Sequence, residues 1–323
     1  MSLGDWTFNA FPPFPATVYP NSALWNVTSE AKNRTYQVQV SWPFSWESRD
    51  VSNKSALTLY VLDGNAMGTT AHEAVHRRAP LSFGQPDTIV VSIGYPLTNN
   101  IYDFIYRFQD YSPPIPTPRI PEAHGDEFLA FIDTSLRPWL QSTAFPNVDF
   151  TRDGLYGHSF GGLFALYALT VDGGRMFDTY ISASPAVEWR NGTILEMLTD
   201  SLGNGSSAVA TPGIGVRDTR SSNWGGCTPP GSDGTYTDPA LFITYGSLEQ
   251  FPVKRRTETQ EQFLVRKNYF GPLKMTDYVH EVYDVASASG KLRDVTLKEY
   301  PGQDHSGVAG TSIMDGIDYF VDW

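Results

Sequence analysis

Cysteine is almost missing from this chain: Cys227 is the only one in 323 residues. A lone thiol closes no internal disulfide, so nothing marks an oxidising compartment, and a cytoplasmic protein is expected. Long apolar runs are missing too. No stretch of about 18 apolar residues occurs, which excludes a predicted transmembrane helix. The N-terminal stretch "MSLGDWTFNAFPPFP" has neither a positive n-region nor an unbroken apolar h-region, which predicts no secretory signal. The sequons at Asn26, Asn33, Asn53, Asn191 and Asn204 are then expected to stay unmodified. Positive charge is scarce as well. Lys and Arg number 23 against 35 Asp and Glu, a net charge of -12, and no basic run stands out. Phosphate binding needs clustered cations, so nucleic acid is not an expected partner, and no membrane association is expected either.

What is present is a core. Apolar residues make up 41% and aromatics 14%, which suits a folded, aromatic-rich chain. "TYQVQVSW" (Thr35–Trp42) alternates like a half-exposed edge strand. "ALTLYVLDG" (Ala56–Gly64) and "DTIVVSIGY" (Asp87–Tyr95) read as buried central strands, with a helix predicted between them over Thr69–Arg78. In "HGDEFLAFIDTSLRPWL", Phe128, Leu129, Phe131, Ile132, Leu136 and Leu140 recur at helical spacing. "DGLYGHS" reads as a strand and "GGLFALYALT" as an apolar helix. Strands follow at Asp178–Ala186, Ala240–Glu249 and Val295–Gly302, with a helical stretch from about Arg255 to Ala288 broken near Gly271, and a C-terminal helix. Strands alternating with helices predict an α/β fold with a mostly parallel twisted sheet and helices on both faces, in one domain over residues 1–323. Two irregular stretches stand apart: "YSPPIPTPRIP" (Tyr111–Pro121) and a Gly-, Ser-, Thr- and Pro-rich insertion at about 201–239. The insertion reads as a surface loop, where Trp224, Cys227 and Tyr236 are candidate pocket residues.

Two motifs compete for the chemistry. "AHEAVH" (Ala71–His76) has the His-Glu-x-x-His spacing that sets two imidazoles on one helix face with Glu73 as base beside a zinc-bound water. "YGHSFGG" (Tyr156–Gly162) contains Gly-x-Ser-x-Gly. By chance the first arises in fewer than about one chain in a hundred and the second in roughly one in five, so rarity favours zinc. Context reverses that. The extended zinc pattern fails at Ala79 and Ser82, no glutamate lies between Glu73 and Glu122, and no metal site is expected. The bland alternative is a polar helix face.

The serine motif sits between a predicted strand and a predicted helix, as a nucleophile elbow must, with Gly157, Gly161 and Gly162 allowing the backbones to close up. The order Ser, acid, His leaves His280 and His305 as bases. His305 follows the last strand in "YPGQDHSG" and is preferred, while His280 lies in a helical pattern. His158 adjoins the serine and should point away from it. For the acid, Glu249 is the first carboxylate after "LFITYGSLE", and Asp304, the sequence neighbour of His305, is its rival. The N–H of Phe160 and that of Gly64 or Asn65, in "LDGNAMG", are the candidate oxyanion donors. No cofactor is needed for such chemistry.

"GHSFGGLFAL", with "YVLDGNAM", "RFQDYSPP", "YGSLEQ" and "PGQDHSG", resembles the esterase D-like family of α/β-hydrolases from about Thr35 to the C-terminus. That family includes enterobactin esterases, fungal triacetylfusarinine C esterases, S-formylglutathione hydrolases and feruloyl esterases. Phe160 makes this chain similar to the siderophore esterases, since S-formylglutathione hydrolases typically carry methionine there. The resemblance implies an α/β-hydrolase fold, catalytic Ser159, Glu249 and His305, and Arg107 near the substrate. For Arg107 the alternative is a salt bridge to Asp103 or Asp110. It implies hydrolysis of a hydroxamate siderophore ester, a small-molecule substrate such as a ferric siderophore. The runners-up are an S-formylglutathione or feruloyl-type esterase, then a zinc metallohydrolase or a non-catalytic binder.

Overall fold

The computed structural model describes residues 4–11, 19–115, 123–203 and 238–322. The Trp224, Cys227 and Tyr236 candidates, and most of the 201–239 insertion, lie outside the described residues, as does the 116–121 part of the proline-rich stretch. The chain divides into two compact units, Met1–Tyr156 with Phe320–Asp322, and Gly157–Tyr319.

The first unit carries strands β1 (Trp6–Phe11), β2 (Ser22–Ser29), β3 (Arg34–Ser41), β4 (Lys54–Leu62), β5 (Thr88–Gly94) and β6 (Val148–His158), in the order β1-β2-β3-β5-β4-β6. β1, β2 and β3 form an antiparallel meander, and β3 runs antiparallel to β5. β4 is parallel to both β5 and β6. All seven residues of β5 are buried, as are the last seven of β4, in keeping with their density of β-branched and apolar residues. The Thr35–Trp42 strand is real, but it is not an edge: β2 and β1 lie outside it. Its alternation reflects one face of an antiparallel meander, which looks the same in sequence whether or not a neighbour pairs with it. Among the residues whose burial is described, β1 and β2 show no comparable buried run, so they left little signal.

Helix α1 (Gly64–Arg78) crosses from β4 to β5, and its own start lies five residues before the predicted one. α2 spans Tyr106–Tyr111. α3 (Gly125–Phe131) continues through a π-turn at Ile132–Leu136, α4 (Arg137–Trp139) and a second π-turn at Leu140–Ala144. The apolar residues expected on its inner face, Phe128 through Leu140, are all buried. Tyr36 stacks on Phe131 at 4.6 Å and on Trp6 at 5.3 Å, fixing this helix against β3 and β1.

The second unit holds α5 (Phe160–Thr170), β7 (Thr179–Ala183), α6 (Thr193–Leu202), β8 (Ala240–Gly246), α7 (Gln260–Phe270), α8 (Met275–Ala288), β9 (Asp294–Tyr300) and α9 (His305–Val321). β7, β8 and β9 are parallel neighbours. Every residue of α5 from Gly161 to Leu169 is buried, which is why its sequence is apolar all round instead of striped. The break expected near Gly271 is a 3-10 turn, Gly271–Leu273, closed by Lys274 at φ 52°. Among the described residues no helix is long and apolar enough to cross a membrane.

Candidate active site

β6 delivers Ser159 and α5 begins at the next residue. Ser159 sits at φ 60°, ψ -118°, a region that non-glycine residues avoid, so its backbone is strained. The surrounding contacts hold it there. Its N–H donates to Ala183 O at 2.9 Å, and its carbonyl accepts from Leu163 N at 2.9 Å and Ala186 N at 3.1 Å. The flanking glycines are steric necessities. A Cβ on Gly157 would fall 2.0 Å from Gly161 O, and one on Gly162 would lie 2.9 Å from Ala183 O.

His305 opens α9, five residues after β9 ends; the loop expected to carry it is that short connection. Its Nε2 lies 3.0 Å from Ser159 Oγ and its Nδ1 lies 2.7 Å from Glu249 Oε2. A carboxylate oxygen accepts, so this bond puts the ring proton on Nδ1 and leaves Nε2 to accept from the serine hydroxyl. Glu249 stands in the turn three residues beyond β8 with its side chain fully buried. Its other oxygen, Oε1, accepts from Ser184 Oγ and from Gly246 N, both at 2.6 Å. The serine, imidazole and carboxylate are thus brought into one hydrogen-bonded line. Such a line can pass the hydroxyl proton to the ring while the buried acid steadies the imidazolium.

Asp304, the rival acid, is ion-paired with Arg255 and accepts from Gly307 N at 3.1 Å. His280, the rival base, lies on α8 with Nε2 3.0 Å from Tyr245 Oη. His158 reaches away from the nucleophile, with Nε2 2.9 Å from His305 O. Ser184 was missed by sequence reasoning. It follows β7 at φ 41°, and a serine in a strand-end turn carries no signal that it buttresses an acid 65 residues later.

Phe160 heads α5, and Gly64 and Asn65 head α1. Amides in the first turn of a helix have no intrahelical acceptor. The Asn65 side chain is committed elsewhere: Oδ1 accepts from Tyr95 N at 2.8 Å and Nδ2 donates to Tyr95 O at 3.0 Å. Only its main-chain N–H is then suited to an oxyanion. Gly64 is packed so closely that a Cβ would meet the Ser92 carbonyl carbon at 2.7 Å.

Arg107 pairs with Asp63, not with Asp103 or Asp110. It is 6% exposed and donates to Asp63 through Nε at 2.9 Å and Nη2 at 2.8 Å, a bidentate buried pair. Asp103 instead accepts from the Ile105 and Tyr106 amides, and Asp110 accepts from the hydroxyls of Tyr36 and Tyr95. Burial pushes the Asp110 carboxyl up to about 6 against the pull of Arg34 and both hydroxyls. Asp63, at φ 52°, is the N-cap of α1, and its own N–H donates to Tyr111 Oη at 3.0 Å. Arg107 therefore grips the residue immediately before Gly64.

The His-Glu-x-x-His residues lie on α1. His72 is buried and its Nδ1 has no hydrogen-bond partner. His76 stacks on Phe44 at 3.8 Å, and Glu73 pairs with Arg77 at 2.6 Å. Burial lowers His76 to about 4, with His72 adding to the shift. Among the described residues, no group of three or more His, Cys, Asp or Glu side chains is arranged to hold a metal ion.

A mostly parallel sheet with covering helices, and a serine at a strained strand-to-helix turn, define an α/β-hydrolase-type fold. The solved siderophore hydrolase EstA from Aspergillus nidulans superposes with a TM-score of 0.80 at 34% identity, covering 98% of this chain and 99% of that one. The Esterase family, described as "Putative esterase", matches residues 29–242, and the chain belongs to it. It is 36% identical to a siderophore enterobactin esterase of Emericella nidulans, over 98% of this chain and 97% of that protein. It is 32% identical to a siderophore triacetylfusarinine C esterase of Aspergillus fumigatus, over 94% of each.

Proposed function

We propose that this protein is a cytoplasmic serine esterase that hydrolyses the ester bonds of a hydroxamate siderophore of the triacetylfusarinine C type, to release iron or recycle the ligand. The observation that carries the chemistry is the hydrogen-bonded line Ser159–His305–Glu249. Near-full-length similarity to two fungal proteins named as siderophore esterases supports the substrate class. The single cysteine suits a reducing compartment.

In this reading Ser159 Oγ attacks the ester carbonyl as His305 Nε2 takes its proton. Glu249 keeps the ring in the needed tautomer and offsets its charge. The N–H of Phe160, with that of Gly64 or Asn65, stabilises the oxyanion. His305 returns the proton to the departing alkoxide, which frees the alcohol, and then activates a water that releases the acyl group from Ser159. Arg107, placed near the substrate in this reading, contributes by fixing Asp63.

The test has two parts. Fluorophosphonate labelling with peptide mapping should place the label on Ser159; folded protein without that label would sink the serine mechanism. Hydrolysis of ferric triacetylfusarinine C is then compared with that of enterobactin, S-formylglutathione and a feruloyl ester. Slow turnover of the first beside fast turnover of another would reassign the substrate.

A further inference from the structure

His305 opens a helix, and its main chain has to be held from two sides. On the side of the acid the holding is done mostly by backbone. Ser247 N donates to Tyr300 O at 3.1 Å and Leu248 N to Gln303 O at 2.9 Å. Gly302 N donates to Ser247 Oγ at 2.8 Å. These bonds fasten the connection leading into His305 to the turn that carries Glu249, so base and acid are set together.

On the side of the nucleophile a side chain does the holding. His158 is the last residue of β6, next to Ser159, and only 6% exposed. Its Nε2 lies 2.9 Å from the main-chain oxygen of His305, and the two ring centroids are 4.6 Å apart. A carbonyl oxygen only accepts, so the proton of this bond sits on His158 Nε2. The elbow thus carries, on adjacent residues, the nucleophile and a strut to the backbone of its base. Ser159 Oγ and His305 Nε2 stand 3.0 Å apart. Displacing such a pair by about 1 Å costs up to about 10²-fold in rate.

We propose that His158 is a positioning residue for ester hydrolysis, a role that rests on the serine-esterase reading. Its Nε2–H, bonded to His305 O, sets the distance between Ser159 and His305. The expected fault on losing this bond is selective: nucleophile and base drift apart while base and acid stay together.

Three substitutions test the role. His158→Phe keeps a ring without a donor. His158→Gln carries an amide N–H at the reach of Nε2, and His158→Asn carries one a bond too short. Phe and Asn should lower kcat about tenfold to a hundredfold with little change in KM, and slow fluorophosphonate labelling of Ser159 in parallel. Gln should recover kcat to within about threefold of wild type. The proton between His305 Nδ1 and Glu249, followed by its downfield NMR signal, should persist throughout. Activity within about twofold of wild type in the Phe and Asn proteins overturns the proposal, as does a Gln protein as slow as they are. Loss of the downfield proton together with activity overturns it too, by showing a general structural role. If His158→Phe does not fold, the Gln and Asn proteins decide. Failure of the esterase reading looks different: wild type cleaves no ester and Ser159 takes no label. A nitrogen-correlated spectrum of wild type then decides the strut, since an unprotonated His158 Nε2 overturns it.

Discussion

Two regions of this protein gather histidine and glutamate, and they differ in what surrounds those side chains. On α1, His72 and His76 stand with ring centroids 4.4 Å apart among Tyr19 and Phe44, and Glu73 turns to Arg77. Around Ser159, His305 is bonded at both nitrogens, and its carboxylate partner is in turn bonded by Ser184 and Gly246. The first cluster has reactive residue types in a packing role. The second has each polar atom aimed at the next. Residue type and spacing do not separate the two; the partners of each atom do.

The sharpest way to break the comparison is to remove one member from each region. Ser159→Ala should lower kcat for ester hydrolysis by roughly 10⁴- to 10⁶-fold. Glu249→Gln keeps the shape but loses the acceptor pair, and should lower kcat by about 10²- to 10⁴-fold with little change in KM. Neither drop should appear in protein carrying Glu73→Gln, whose activity should stay within about twofold of wild type and be indifferent to a chelator. A large loss there would return α1 to the active site.

Stability offers two further contrasts. Arg107→Ala strands the buried Asp63 and should cost about 3–5 kcal/mol in denaturant unfolding. A loss of activity with unchanged stability would instead mark Arg107 as a substrate contact. The smallest effect concerns pH. His76 is held to about 4 in the folded protein against an ordinary value of 6.5. Its folded value is depressed, so the unfolded chain binds more protons between those values. The stabilisation from the neutral ring is therefore complete above about pH 6.5 and fades as pH falls toward 4. Because His76 is only half-buried, the slope is shallow. His76→Phe, which preserves the stack on Phe44, should flatten the stability profile in that window, and an unchanged profile would show that the ring is not neutral when folded.

Much of the second unit was legible because its signals are local. The all-apolar run of α5, the dense strands β7 and β8, and the Gly-x-Ser-x-Gly turn each announce themselves within about ten residues. Ser159 was placed by its neighbours, and His305 and Glu249 by the order of elements. What stayed hidden was non-local or half-wet. β1 and β2 pair antiparallel with only partial burial, so β3 passed for an edge. The Asp63–Arg107 pair joins residues 44 apart with several closer partners on offer in sequence. Ser184 lies in a turn whose composition looks ordinary.

By itself the sequence determined the alternation of strands and helices, the elbow with its obligatory glycines, and a short list of acids and bases. These follow from periodicity and from backbone sterics, which act between near neighbours. Only the tertiary structure shows that Glu249 and not Asp304 is bonded to His305, that His305 and not His280 reaches Ser159, and that Asp63 and not a nearer aspartate pairs with Arg107. Hydrogen bonds and ion pairs are set by distances of about 3 Å between side chains far apart in the chain, and a linear sequence does not encode those distances where several residues of the same type compete.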